Sequence, residues 1–152
     1  MKNIFILLVI ILFVNPIFNP AFAGGIGYIN YDYVVENYQF AKISMREIET
    51  KGKEIQQYLQ KKEAEFAKIE SPLQKQKFEE NVRNELKTRE AAFNAFRDKR
   101  EDEVYKRIHA VAEKIRLEKG LDALIDSRAV FSGGVDITQD LIKLLNSNTQ
   151  IR

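Results

Sequence analysis

The chain has 152 residues with 24 Lys+Arg, 22 Asp+Glu and one histidine, His109, for a formal charge of +2. One domain fits that length, and so weak a net field argues against a nucleic-acid partner. The absence of cysteine excludes disulfides, thiolate metal sites, cysteine nucleophiles and a lipidated N-terminal Cys, and a single histidine excludes a multi-His metal centre.

In chain order, Lys2, the apolar run Ile4 to Val14 and the small-x-small tripeptide Ala21-Phe22-Ala23 come first. They form a secretory signal peptide over residues 1–23, cut after Ala23, so the mature protein works outside the cytoplasm. As an uncleaved anchor the run is short of the roughly 20 residues a membrane span needs. Ile26-Gly27-Tyr28-Ile29 is short and β-prone, and leads to Asn30 or Asp32 as a helix N-cap with Val34, Val35 and Tyr38 on one helical face.

Residues 42–119 hold 20 basic and 16 acidic side chains and only Gly52 and Pro72 as interruptions, the composition of long exposed helices. Ser71 as N-cap, Pro72 at the first helical position and Gln74 as partner in an S-x-x-Q box predict two helices, about 34–70 and 72–119. Gly120 supplies the second stop. In the first helix Met45, Ile48, Gly52, Ile55, Leu59, Lys62, Phe66 and Ile69 follow a 3-4 alternation, a narrow seam. In the second, Val82, Phe93, Val104 and Ile115 recur every eleven residues, a spacing that favours a straight or slightly right-handed course. Folding back at Ser71 gives an antiparallel hairpin with Phe66 near Phe78, and Ile48 near Phe93 and Phe96. At 1.5 Å per residue, residues 43–70 make an arm of about 40 Å, and the end of the second helix, Val104 to Leu117, docks on the rest of the chain.

Two further strands are expected at Leu121–Asp126 and Ala129-Val130-Phe131, and a last helix from Asp136, with Asp136-x-x-Gln139 as an acidic capping box and Ile137, Leu141, Ile142, Leu144 and Leu145 buried. So few short strands make a poor closed core, and an open-edged sheet invites pairing between copies. The predicted fold is α+β, mostly α: a β-rich oligomerisation body from 24–41 and 104–152, and a long helical-hairpin arm over 42–103 with its tip near 70–73. Ile26, Tyr28, Leu124, Ile125, Val130 and Phe131 are assigned to the body and the subunit interface, with single-chain core as the alternative.

Together the "IGYIN" strand, the charged hairpin and the closing run "GLDALIDSRAVFSGGVDITQDLIKLLN" resemble the Skp/OmpH family of periplasmic chaperones over residues 24–146. The most specific part is Asp136-Ile137-Thr138 followed by Asp140-Leu141. The resemblance implies a trimer with a small β-rich body, three arms around a cavity in a jellyfish-like outline, and ATP-independent holding of unfolded outer-membrane proteins in the periplasm. A holdase surface needs scattered charge and moderate apolar content. Tyr58, Phe66, Phe78, Phe93 and Phe96 bring that aromatic area to the arm, as cargo contacts or, for Phe66, Phe78 and Phe93, as hairpin core. Tyr58, beside the seam, is the better contact.

Gly52 either permits bending or packs opposite a phenylalanine of the other helix. His109 lies at the arm's base in a packing or hydrogen-bonding role. Lys87, Arg89, Arg97 and Arg100 read as a solvated face, with weak contact to anionic lipid or lipopolysaccharide as the alternative. A competing function is a structural coiled-coil adaptor bridging envelope proteins. There is no Gly-rich phosphate loop, G-x-S-x-G or metal-ligand spacing, so neither an enzyme nor a cofactor is expected.

Overall fold

The computed structural model describes residues 24–148, and the predicted signal peptide lies outside the described residues. β1 (Ile26–Ile29) is the centre of a three-stranded sheet. It runs parallel to β2 (Ala123–Asp126), with Tyr28 opposite Ile125, and parallel to β3 (Val135–Asp136), with Tyr28 opposite Asp136. Both outer strands keep an unpaired edge among the described residues. A Cβ on Gly27 would meet Leu124 Cδ2 at 2.6 Å and Leu121 Cδ1 at 2.7 Å, so glycine lets β1 lie this close to its neighbours.

α1 (Tyr31–Asn37) starts at Asn30, whose Oδ1 accepts the Tyr33 N–H at 3.0 Å. The predicted single helix over 34–70 is in fact broken. Tyr38, buried and extended at φ −88°, ψ 120°, separates α1 from α2 (Gln39–Phe66). The cause lies far away in the chain: Asn146 Oδ1 accepts the Gln39 N–H at 2.9 Å, while its Nδ2 donates to the Asn37 carbonyl at 3.0 Å. One side chain thus caps both sides of the break.

α3 (Pro72–Glu118) starts where predicted and ends one residue short of the predicted 119, but Ser71 makes no side-chain capping bond, and only its carbonyl takes part, accepting from Lys75 N–H at 2.9 Å. At the other end Gly120, at φ 65°, allows the Gly120 N–H to reach the Leu117 carbonyl and the Leu121 N–H to reach the Arg116 carbonyl, a Schellman stop. At 1.5 Å per residue α3 is about 70 Å long.

The strand expected at Ala129-Val130-Phe131 does not form. Ser127–Ala129 is a 3-10 turn held by Asp126, whose carboxylate accepts the Arg128 N–H. The chain then turns through Gly133 and Gly134, both at positive φ, to place Val135–Asp136 beside β1. Asp136 is therefore a strand residue, and α4 (Thr138–Asn148) begins two residues later than expected, with Asp136 Oδ1 accepting the Thr138 N–H at 2.8 Å in place of a capping box. Ile137, Leu141 and Leu145 are buried and Ile142 and Leu144 half-buried.

The core lies wholly at one end. It joins Val34 and Tyr38 to Ile108 and Ile115 of α3 and to Ile137, Leu141 and Leu145. No helix among the described residues is long and apolar enough to cross a membrane.

Candidate functional site

Beyond that core, α2 and α3 run as an antiparallel pair. Tyr58 Oη donates to Glu85 Oε2 at 2.8 Å, the Phe66 and Phe78 rings lie 6.1 Å apart, and Arg100 pairs with Glu47 across the seam. The eleven-residue stripe of α3 explains the continuity: Val82 and Phe93 are half-buried in the arm, and Val104 and Ile115 are buried in the core. From Met45 to Glu103 no residue is buried. Met45 itself, expected in the seam, is 63% exposed. Two helices in contact along one stripe can do no better, since each leaves most of its circumference to solvent.

Tyr58, Phe66, Phe78, Phe93 and Phe96 are all half-buried, seam residues on one edge and surface on the other. Cations lie over four of the five rings. Arg89 lies 4.3 Å from the Tyr58 centroid, Lys62 lies 5.6 Å from both Tyr58 and Phe78, Lys75 sits over Phe66, and Lys51 and Arg100 flank Phe96. Phe93 faces Gly52. A Cβ on Gly52 would lie 3.9 Å from that ring, an ordinary contact, so the packing does not require glycine. Ile48 lines a cleft with Arg100, Glu101 and Val104. Nearer the tip, Leu59, Lys62, Phe66, Phe78, Val82 and Leu86 line an open groove of about 420 Å³.

Sequence reasoning did not single out Lys62 and Arg89 as ring-covering cations, nor Leu73, 62% exposed at the tip. For Lys62 the available signal was its place one helical turn from Tyr58, whereas Arg89 reaches the same ring from the other helix.

Charge on the arm is locally neutralised. Arg89 binds Glu85 at 2.7 Å, and Glu85 is held below the usual carboxylate range, first by Arg89 and then by the Tyr58 hydroxyl. The Tyr58 hydroxyl is pushed above the ordinary phenol range by desolvation, then by its bond to Glu85. Arg97 pairs with Asp98, and Arg100 with Glu47 and Glu103. Three of the four cations in the basic group on α3 thus already have carboxylate partners. His109 is exposed, its ring 5.9 Å from that of Tyr105. Among the described residues no group of His, Cys, Asp or Glu side chains could hold a metal ion.

On the body, Ile26, Tyr28, Ile125, Val130 and Phe131 line one open cleft with Val135 and the glycine turn. Ile26 is 51% and Phe131 104% exposed. Leu124 packs back against the chain's own core.

The protein family described as "Outer membrane protein (OmpH-like)" matches residues 25–145. The chain belongs to this OmpH-like family. A crystal structure of an OmpH-like protein from Caulobacter crescentus CB15 is 12% identical, with 82% of this chain and 85% of that chain covered at a TM-score of 0.49. No curated protein matches. In this OmpH-like chain the closing run has a clear structural task. The Ile137 N–H donates to the Tyr28 carbonyl at 3.1 Å, Thr138 Oγ1 accepts the Asn30 N–H at 3.0 Å, and Asp140 pairs with Lys119 at 2.9 Å. Asp136, Ile137, Thr138 and Asp140 therefore lock the last helix onto β1 and onto the end of α3.

Proposed function

We propose that this OmpH-like protein is an ATP-independent holdase of the periplasm, exported with its signal peptide removed. Copies join through the body as a trimer with a jellyfish-like outline, and their arms hold unfolded outer-membrane β-barrel proteins in the space between them until insertion. Family membership supports the client class, since OmpH-like chaperones act between the two membranes. One observation carries the mechanism: from Met45 to Glu103 nothing is buried, yet that stretch bears five aromatic rings. Such a surface offers apolar area broken up by charge. It touches an alternating apolar and polar client weakly at many points, and several arms on one body multiply those contacts through effective concentration.

Assembly through the body rests on the two open sheet edges and on the cleft around Ile26 and Phe131. Apolar area of this kind, next to unpaired strands, is covered when copies meet.

The test is light scattering of a denatured outer-membrane barrel protein diluted into the purified chaperone without ATP, alongside sedimentation. Full-length protein is expected to sediment near three chain masses and to suppress aggregation. A variant lacking about residues 50–90, closed by a short turn, is expected to keep that mass and lose the protection. A stable monomer, or a shortened protein that still protects, overturns the proposal. Protection confined to one envelope protein would favour a bridging adaptor.

A further inference from the structure

Asp122 stands at the start of β2 with its carboxylate exposed and with no ion-pair or hydrogen-bond partner among the described residues. Its backbone is fixed, because the Asp122 N–H donates to the Gly25 carbonyl at 3.0 Å. Its carboxylate lies against Gly24, on the spot a Cβ there would occupy, so any larger residue would have to push this exposed side chain aside. Gly25 differs: a Cβ there meets only Leu121 Cδ2, at 3.7 Å. Nitrogen and Cβ of one residue are about 2.5 Å apart, so a carboxylate occupying the Cβ position is within ion-pair reach of the Gly24 nitrogen. Gly24 is also the residue that cleavage after Ala23 would leave first in the chain.

We propose that removal of the signal peptide creates the partner of Asp122. The new α-ammonium of Gly24 pairs with that carboxylate and fastens the beginning of β1 to the beginning of β2. In the precursor the same nitrogen is an uncharged amide with one N–H in a fixed direction. After cleavage it is a cation with three rotatable donors, directed by geometry toward an unoccupied anion. The nearest competing cation is Arg116, which donates to the Leu121 carbonyl at 2.6 Å and is held by Glu113 at 2.7 Å. Its direct ion pair is with Glu113, and it feels the Asp122 carboxylate only at longer range, so that carboxylate has room for a direct partner at the amino terminus. The contact exists only in the processed protein, so the central strand gains this anchor on the side of the membrane where the protein works.

This inference rests on the export reading, and the experiment separates the two. The precursor is expressed, the exported protein is purified, its first residue is determined by N-terminal sequencing, and the α-amino group is titrated by NMR in the wild type and in Asp122→Asn. The expected result is Gly24 as first residue, with an amino pKa raised by about half a unit, roughly threefold tighter proton binding, above the ordinary value of about 7.7–8.0. Asp122→Asn returns it to the ordinary value. Gly24 with the same pKa in both proteins overturns the ion pair and leaves processing intact. A different first residue overturns both.

Discussion

The two ends of this molecule solve opposite problems. At the base, four helices and the sheet close around Leu141, Ile137 and Val34, each with no measurable exposure. Along the arm the same α3 helix continues, yet its best-covered residues, Phe78 and Phe93 among them, stay half-exposed. The base stretch of α3 is richer in apolar residues, 8 of 15 over 104–118 against 9 of 32 over 72–103, and it also has more neighbouring elements. Burial here follows from how many surfaces converge, and a pair of helices alone converges along one line.

The largest expected effect tests that contrast directly. Leu141→Ala leaves a cavity in a filled core and costs about 2–5 kcal/mol. Phe66→Ala removes a half-exposed ring and costs about 1 kcal/mol. Urea unfolding of both variants checks the ranking, and equal losses would erase the distinction between base and arm. Next comes Asn146→Ala, which strips both hydrogen bonds at the Tyr38 break and is expected to cost about 1–2 kcal/mol. Faster amide exchange at Gln39 should accompany it.

Gly52→Ala sharpens the comparison from the arm side. The new methyl group fits beside Phe93 and restores helix propensity, so the arm gains up to about 1 kcal/mol, read as slower amide exchange through α2 with the body unchanged. In a tightly filled core the same substitution would destabilise.

The smallest effect is titration of the knot of Tyr58, Glu85 and Arg89. Glu85 has a lowered pKa, so its contribution is present above the ordinary carboxylate range and is lost as pH falls through the lower folded value. Tyr58 has a raised pKa, so its contribution is present below the ordinary phenol range and is lost as pH rises through the higher folded value. Between those limits the arm should not respond to pH. Amide exchange near Tyr58 is expected to quicken at acid pH before any change near Leu141, and simultaneous loosening would contradict the separation.

Legibility in the sequence divides by range of cause. The ends of α3 were readable because Pro72 and Gly120 act on their own neighbourhood, and the Phe66–Phe78 meeting follows from folding back between them. The break at Tyr38 was not readable, because the side chain that caps it, Asn146, lies more than a hundred residues away. Val130 and Phe131 have strand-like side chains but no neighbour to pair with. Val135 and Asp136, a pair of which only Val135 has that propensity, become the strand because Gly133 and Gly134 turn the chain onto β1. The arm aromatics could be placed near the seam from their spacing. Their half-exposed state and their cationic covers depend on which rotamers the partner helix permits.

The unequal rooting of the two arm helices has a mechanical consequence. α3 passes from tip to core without interruption, whereas α2 begins just after the extended residue Tyr38 and is rooted in the core only by its first turns, at Ala41 and Ser44. A load applied at the tip therefore finds an unbroken lever in α3, which delivers torque to Val104 and Ile115, whereas α2 passes it only to its short rooted end at Ala41 and Ser44.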